Sequence, residues 1–233
     1  MSPLRSAIRF GHGLLRGDEQ FCLQPLERTE ARPALSCLLI ILLGVGAYGA
    51  TIGMWQGPKL ACFVAIKLPW VILLTLLSNA MLNAILASLL GVRLNFAQTT
   101  LALLNAFAVF GLIVGSLAPI TFGIAIDAPT PHEPGGQETH RRLILVHTLL
   151  IAFAGIISTG KLYRVLLHFA ESAKAARHSL IGLLAGNLFA GAQIGFLLRP
   201  IFGQPGLKIE FLRPDMFRGN FYESVWWALK HAL

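Results

Sequence analysis

The sequence LPWVILLTLLSNAMLNAILASLLGV, at residues 68–92, contains no Asp, Glu, Lys or Arg and consists mainly of apolar residues. An α-helix rises about 1.5 Å per residue, so about 20 residues cross the roughly 30 Å hydrocarbon core of a bilayer. This stretch is therefore long enough to cross a membrane once. Its lack of charge favours insertion, because one Lys or Arg at the centre of a span costs about 2.5–3.5 kcal/mol.

Four further stretches share this property and predict an all-α fold, a polytopic transmembrane helix bundle of about five spans with amphipathic terminal segments. They are residues 34–58, 94–126, 143–160 and 179–198. Charged residues make up 13% of the chain, against about 25% in a typical soluble domain. A soluble protein that buried five such helices would keep too little polar surface to stay dissolved.

The predicted organisation has three parts. An amphipathic, cytoplasmic N-terminal segment covers residues 1–33, a transmembrane domain covers residues 34–198, and an aromatic-rich interfacial tail covers residues 199–233. The N-terminal segment suits a helix on an anionic membrane surface, but a solvated helix or a disordered tail fits its pattern equally. We predict spans at about 34–56, 68–91, 99–124, 143–160 and 179–198.

Prolines, lysines and tryptophans predict where the chain meets the membrane surface. We expect the first helix to end before Pro58 and the next residues to run along the interface up to Lys67. Lys67 can then extend to the lipid headgroups, while Trp70 lies in the interfacial belt of aromatic residues. We predict that Trp226 and Trp227 anchor the tail in the same way.

Small residues at helical spacing predict where spans pack closely, because glycine lets two helix backbones approach each other within lipid. Gly49 and Gly53 share one face of the first span, and the fifth span carries two similar series. The predicted packing positions are Gly49, Gly53, Gly182, Gly186, Gly191 and Gly195.

Polar residues within the spans form a second group. Thr75, Asn79 and Asn83 lie four residues apart and therefore share one face of the second span. Lipid would leave their hydrogen-bonding groups unsatisfied, so these side chains must point into the protein. They either join neighbouring helices or line a path for a polar solute. The other polar residues of this group are Asn105, Asn187 and Gln193.

The residue types that carry out catalysis or bind metals are sparse. His147, near one end of the fourth span, can bind a haem, a pigment or a metal, relay protons, or hydrogen-bond a neighbouring helix. The loop after the third span carries His and Glu residues without a known metal-binding spacing, so we predict no metal and no cofactor. The charge-free stretches also lack known nucleophile and nucleotide-binding motifs, and we predict no catalytic residue and no enzyme activity.

The formal net charge of +8 is spread over loops and tails, where anionic lipid headgroups rather than nucleic acid account for it. Lys and Arg are nearly balanced between the two sides of a five-span protein, so the positive-inside rule decides little. The basic segment at residues 161–178 favours a cytoplasmic N terminus. We expect a bacterial inner-membrane protein whose partners are the lipid bilayer and other membrane proteins or copies of itself.

A Gly-containing first span with Tyr48, a polar second span and the sequence LLGVRLNFAQTTLALLNAFA at residues 89–108 resemble Yip-type membrane proteins. The resemblance covers about residues 38–198, includes no diagnostic motif and excludes the tail. It implies about five closely spaced spans after a cytoplasmic N-terminal region, and a non-enzymatic role in membrane organisation or protein association. No functional residue is carried over.

The leading functional interpretation is a non-catalytic integral membrane subunit with a scaffold or assembly role. Its glycine faces and aromatic tail would pack against other membrane proteins. The alternative is a channel or facilitator for a small polar solute, and a third interpretation is a pigment- or haem-binding subunit that uses His147. The solute path would be lined by Thr75, Asn79, Asn83, Asn105 and Asn187.

Overall fold

The computed structural model describes residues 8, 10–14, 23, 26, 31–203, 205–206, 208–223, 226 and 230. Within these residues the regular structure is helical, apart from an isolated bridge between Val92 and Ala170. The elements are α1 (Ala31–Ile40), a π-helical turn (Ile41–Val45), α2 (Gly46–Met54), α3 (Pro58–Leu89), α4 (Phe96–Asp127), α5 (Gly136–Phe169) and α6 (Ala173–Leu197). The predicted all-α fold class is confirmed.

The first three elements form one continuous helical rod. The backbones of Ile40, Val45 and Gly46 keep right-handed helical angles, so α1, the π-helical turn and α2 follow one another without a break. In a π-helical turn the backbone hydrogen bonds join residues five apart, whereas in an α-helix they join residues four apart. α1 and the π-helical turn contact α4, and α2 contacts both α3 and α4.

Five helical segments of the described chain are long and apolar enough to cross a membrane. They are Arg32–Met54, Pro58–Leu89, Phe96–Asp127, Gly136–Phe169 and Ala173–Leu197. The number of spans therefore agrees with the prediction. Their length and composition are those of an integral membrane protein in contact with a lipid bilayer.

Short connections join consecutive spans, as is usual for antiparallel neighbours. The turns at residues 90–95 and 170–172 meet at one end of the bundle, where the backbone N–H of Arg93 donates to the Phe169 carbonyl at 2.9 Å. The Arg93 guanidinium also lies 3.3 Å from the Glu171 carboxylate. We call this end, where α1 also begins, the N-terminal side. Residues 55–57 and 128–135 connect the helices at the opposite end, the C-terminal side.

The second span differs from the prediction in where it begins. Gly57 has a φ of 126°, which favours glycine, and Pro58 follows at the start of α3, a position that proline favours. α3 then continues for 32 residues, through Pro69. The prediction of a separate segment before the second span is thus wrong: residues 60–66 belong to the continuous α3, and Lys67 lies within the same helix.

The spans are unequally enclosed. Over the most apolar 18 residues, 56% are buried in the first span and in α4 and 44% in α3, but only 22% in α5 and 6% in α6. The core therefore lies among the first span, α3 and α4, while α5 and α6 occupy the edge of the bundle.

Glycines allow the first span to contact its neighbours closely. A Cβ atom at Gly49 would lie 2.6 Å from the carbonyl oxygen of Val64, and one at Gly53 would lie 2.6 Å from the backbone nitrogen of Ala61. Gly44 contacts the backbone of Gly111 on α4 so closely that a Cβ would overlap it. Larger residues at these positions would push the first span away from α3 or α4.

Candidate functional site

The predicted polar face of α3 contacts α6. Asn79 Nδ2 donates to the backbone oxygen of Gly186 at 2.8 Å, and Asn83 Nδ2 lies 3.4 Å from Asn187 Oδ1. Asn187 Nδ2 in turn donates to the Leu183 carbonyl at 2.8 Å. We call this row of hydrogen bonds the α3–α6 seam. Side-chain amides that must avoid lipid thus hold α6 against the bundle.

Three of the predicted packing glycines on α6 lie along the same seam. A Cβ at Gly182 would contact the side chain of Leu86, and one at Gly191 would lie 3.3 Å from Thr75 Oγ1. Gly186 provides the carbonyl that Asn79 binds. The hydroxyl of Thr75 donates to the carbonyl of Val71 in its own helix at 2.6 Å. The seam therefore combines small residues with amide groups that donate hydrogen bonds across it. The Oδ1 atom of Asn83 is buried there without a hydrogen-bond partner in the described part of the chain.

The last predicted residues of α6 contact the tail. A Cβ at Gly195 would lie 4.0 Å from the side chain of Ile201. Gln193 Oε1 accepts a hydrogen bond from the backbone N–H of Phe221 at 3.0 Å. These two residues therefore position the tail rather than a second span.

Asn105 lies apart from the α3–α6 seam. Its Oδ1 accepts a hydrogen bond from Cys37 Sγ on α1 at 2.9 Å. Its Nδ2 is buried and has no hydrogen-bond partner in the described part of the chain. The residues predicted to line one solute path thus lie in two places: four at the α3–α6 seam and Asn105 between α1 and α4.

His147 joins the fourth span to the first. Its Nδ1 and the Tyr48 hydroxyl are 2.9 Å apart, and the tilted ring of Phe202 lies 5.9 Å from its ring. Close to this pair, the hydroxyls of Thr51 and Thr121 hydrogen-bond at 2.8 Å and link α2 to α4. The buried Tyr48–His147 contact connects residues 99 positions apart, and the sequence contains no signal for it.

Lys67 does not occupy the surface position predicted for it. Only 1% of its surface is exposed, so it does not extend to the headgroups. Its Nζ donates to the Pro200 carbonyl at 3.0 Å and lies 5.1 Å from the centre of the Phe211 ring. The carbonyl dipole and the aromatic face compensate in part for the loss of water around the ammonium group.

The described part of the tail folds back on the bundle. The Tyr222 hydroxyl donates to the Phe189 carbonyl at 2.6 Å, and the two rings stack with centres 4.7 Å apart. Arg199 stacks on Phe196, with 3.7 Å between its guanidinium carbon and the ring centre. The tail is therefore attached to α6 as well as to Lys67.

The predicted tryptophan anchors are found at exposed positions where the structure describes them. Trp70 on α3 and Trp226 in the tail are exposed, whereas Trp227 lies outside the described residues. An exposed tryptophan suits the headgroup level of a membrane. The anchoring role itself stays a prediction.

The loop at residues 128–135 and the start of α5 are held by local contacts. Glu133 accepts a hydrogen bond from the backbone N–H of Thr130 at 2.8 Å, and Glu138 pairs with Arg142 at 2.9 Å. Trp55 stacks on His140 with ring centres 5.6 Å apart. Among the described residues, no group of three or more His, Cys, Asp or Glu side chains is close enough to hold a metal ion.

No protein-family model, curated protein or solved structure matches this chain. The resemblance to Yip-type membrane proteins therefore stays a prediction.

Proposed function

We propose that this protein is a non-catalytic integral membrane subunit that associates with other membrane proteins. The observation that carries the proposal is an exposed apolar face on α5, while the hydrogen bonds of the intramembrane amides within this chain weigh against a solute path. Asn79 and Asn83 bind groups of α6, and Asn187 is fixed by both Asn83 and its own helix. A solute path needs such groups to face water or solute. Groups that bind one another instead support a role in helix association.

The outer face of α5 is the surface that we assign to the partner. Leu145, Leu149, Phe153, Ile156 and Gly160 recur at spacings of three and four residues and therefore share one side of the helix. All five residues are exposed. A Cβ at Gly160 would meet no atom of the described residues within 4 Å.

Two features of this face favour a transmembrane helix of another protein as its partner. Gly160 exposes backbone beside bulky neighbours, which gives a partner helix a place for close approach. The face bears no charge along its central part, so it suits an apolar helix rather than a charged peptide.

A photo-crosslinking amino acid placed at Ile156 tests the proposal in native membranes. Leu77 on α3 is the matched control, because the two side chains are 73% and 74% exposed. We expect a discrete adduct heavier than the 25.3 kDa chain from position 156 and none from position 77. Equal labelling at both positions, or no discrete adduct at 156, would contradict the proposal. If the adduct instead contains two copies of this chain, the partner is a second copy and the protein is a homo-oligomer.

A further inference from the structure

A cavity of about 300 Å³ lies between α4 and α5 on the N-terminal side of the bundle. Its wall is mainly apolar and includes Leu14, Ala102, Ala106, Val109 and Val165. Ligand pockets in proteins typically measure about 300–1,000 Å³. The cavity is thus large enough for part of an elongated apolar molecule whose remainder lies in the bilayer.

One side chain in this wall is a buried amide. Asn105 lines the cavity, is 4% exposed, and has a buried Nδ2 without a hydrogen-bond partner among the described residues. Leaving a buried donor unsatisfied costs about 1–3 kcal/mol. An acceptor oxygen from a ligand in the cavity would remove this cost.

Basic side chains of α5 line the same cavity. Lys161, Arg164 and His168 recur at spacings of three and four residues and share one side of the helix. Lys161 Nζ donates to the carbonyl of Leu14 at 2.9 Å. Arg164 is exposed and forms no ion pair within the described part of the chain. The cavity therefore offers a positive group that an anion can approach.

The guanidinium of Arg164 and the amide of Asn105 lie at different depths in the membrane. At 1.5 Å per residue, Arg164 lies about 8 Å along α5 from Phe169, whereas Asn105 lies about 14 Å along α4 from Phe96. Both helix ends belong to the N-terminal side, so the guanidinium is nearer the membrane surface and the amide is deeper. In a phospholipid the phosphate is likewise nearer the surface than the ester carbonyls.

We propose that this cavity binds an anionic phospholipid from the surrounding bilayer. The phosphate contacts Arg164 and His168, an ester carbonyl accepts a hydrogen bond from Asn105, and part of one acyl chain lies against Ala106 and Val109. Arginine suits this role because its planar guanidinium can donate two parallel hydrogen bonds to a phosphate. Basic pockets between spans are a known type of site for anionic lipid headgroups. This inference does not depend on the partner surface proposed for α5.

The test compares two variants of the full chain, Arg164→Gln and Arg177→Gln. Both arginines are exposed near the N-terminal side, but only Arg164 lines the cavity. Binding of dioleoylphosphatidylglycerol and dioleoylphosphatidylcholine to the delipidated protein in detergent is measured by native mass spectrometry and by thermal stabilisation. We expect the native chain to prefer phosphatidylglycerol. Arg164→Gln should weaken this binding about tenfold, as loss of a charge-assisted hydrogen bond implies, and Arg177→Gln should leave it within about twofold.

Three results would overturn the proposal. Equal binding of the two lipids would mean that the headgroup charge is not recognised. Equal weakening by the two variants would mean that the lipid responds only to the general surface charge. Stabilisation by inorganic phosphate alone, to the same extent as by phosphatidylglycerol, would mean that the site takes a free anion. A further variant, Ala106→Phe, should fill the cavity and reduce phosphatidylglycerol binding without removing a charge.

Discussion

The ammonium group of Lys67 is enclosed by residues of the C-terminal tail. It binds the Pro200 carbonyl, and the face of Phe211 lies above it. Phe211 also packs edge-on against Phe63, with ring centres 5.2 Å apart. A single side chain of α3 thus holds a segment that is distant in the sequence, which makes Lys67 a positioning residue for the tail.

We predict that Lys67→Met loosens the tail without unfolding the bundle. Methionine keeps the length and the apolar contacts of the side chain but loses the hydrogen bond and the cation–π contact. Amide hydrogen exchange in residues 208–216 should become about tenfold faster, as loss of one interaction with a charged group implies. Hydrogen exchange with mass spectrometry measures this change.

Lys59→Met is the matched control for this prediction. Lys59 is an exposed residue of the same helix, with its Nζ 5.9 Å from the centre of the Phe63 ring. Its replacement should leave exchange in the tail unchanged. Unchanged exchange in Lys67→Met, or the same acceleration in both variants, would show that Lys67 does not position the tail.

At the scale of the elements, the close packing of the first span against α3 requires glycine at the contact positions. We predict that Gly49→Ala destabilises the protein by about 1–3 kcal/mol, the usual cost of overpacking, because the new methyl group would overlap the Val64 carbonyl. Unfolding in mixed micelles with increasing SDS measures the change.

Gly123→Ala provides the control, because a Cβ at Gly123 on α4 would meet no atom within 4 Å in the part of the chain that the structure describes. Alanine favours a helix over glycine by about 1 kcal/mol, so this variant should be as stable as the native chain or slightly more so. Equal destabilisation by the two substitutions would argue against a close contact at Gly49.

The number of spans could be predicted from the sequence, but the beginning of α3 could not. A charge-free stretch marks a segment that can insert into lipid, and each span contains one. Lys67 interrupts the charge-free pattern, yet α3 continues through it. Its ammonium group binds the carbonyl of Pro200, a residue 133 positions away that the sequence pattern does not connect with it. Likewise, the spacing of Asn79 and Asn83 predicted a polar face, but their α6 partners lie more than 100 positions away.

At the scale of the whole molecule, an odd number of spans places the beginning of α1 and the end of α6 on opposite sides of the membrane. Lys161, Arg164, Lys174 and Arg177 lie at or near the turn at 170–172 on the N-terminal side. Because positive charge is retained on the cytoplasmic side, this cluster favours an orientation in which the N-terminal side faces the cytoplasm. The location in a bacterial inner membrane stays a prediction.

A reporter enzyme fused after Leu233 tests this orientation. A periplasm-active alkaline phosphatase should be active there, and a cytoplasm-active fluorescent protein should stay dark when exported unfolded. The reverse pattern would contradict the orientation or the number of spans. A second fusion, placed in the turn at 170–172, should give the opposite result to the first and so control for reporter expression.

The π-helical turn in the first rod has a consequence for changes in chain length. Each residue of an α-helix rotates the following residues by about 100°, so losing one residue between Ile41 and Val45 would reorient α1 relative to α2 by that angle. Gly44 could then no longer meet Gly111 while Gly49 and Gly53 stayed against α3. Insertions and deletions should therefore be better tolerated in the connections between spans than in this turn. The turn sets the rotation of α1 relative to α2, and that rotation lets the first span contact both α3 and α4.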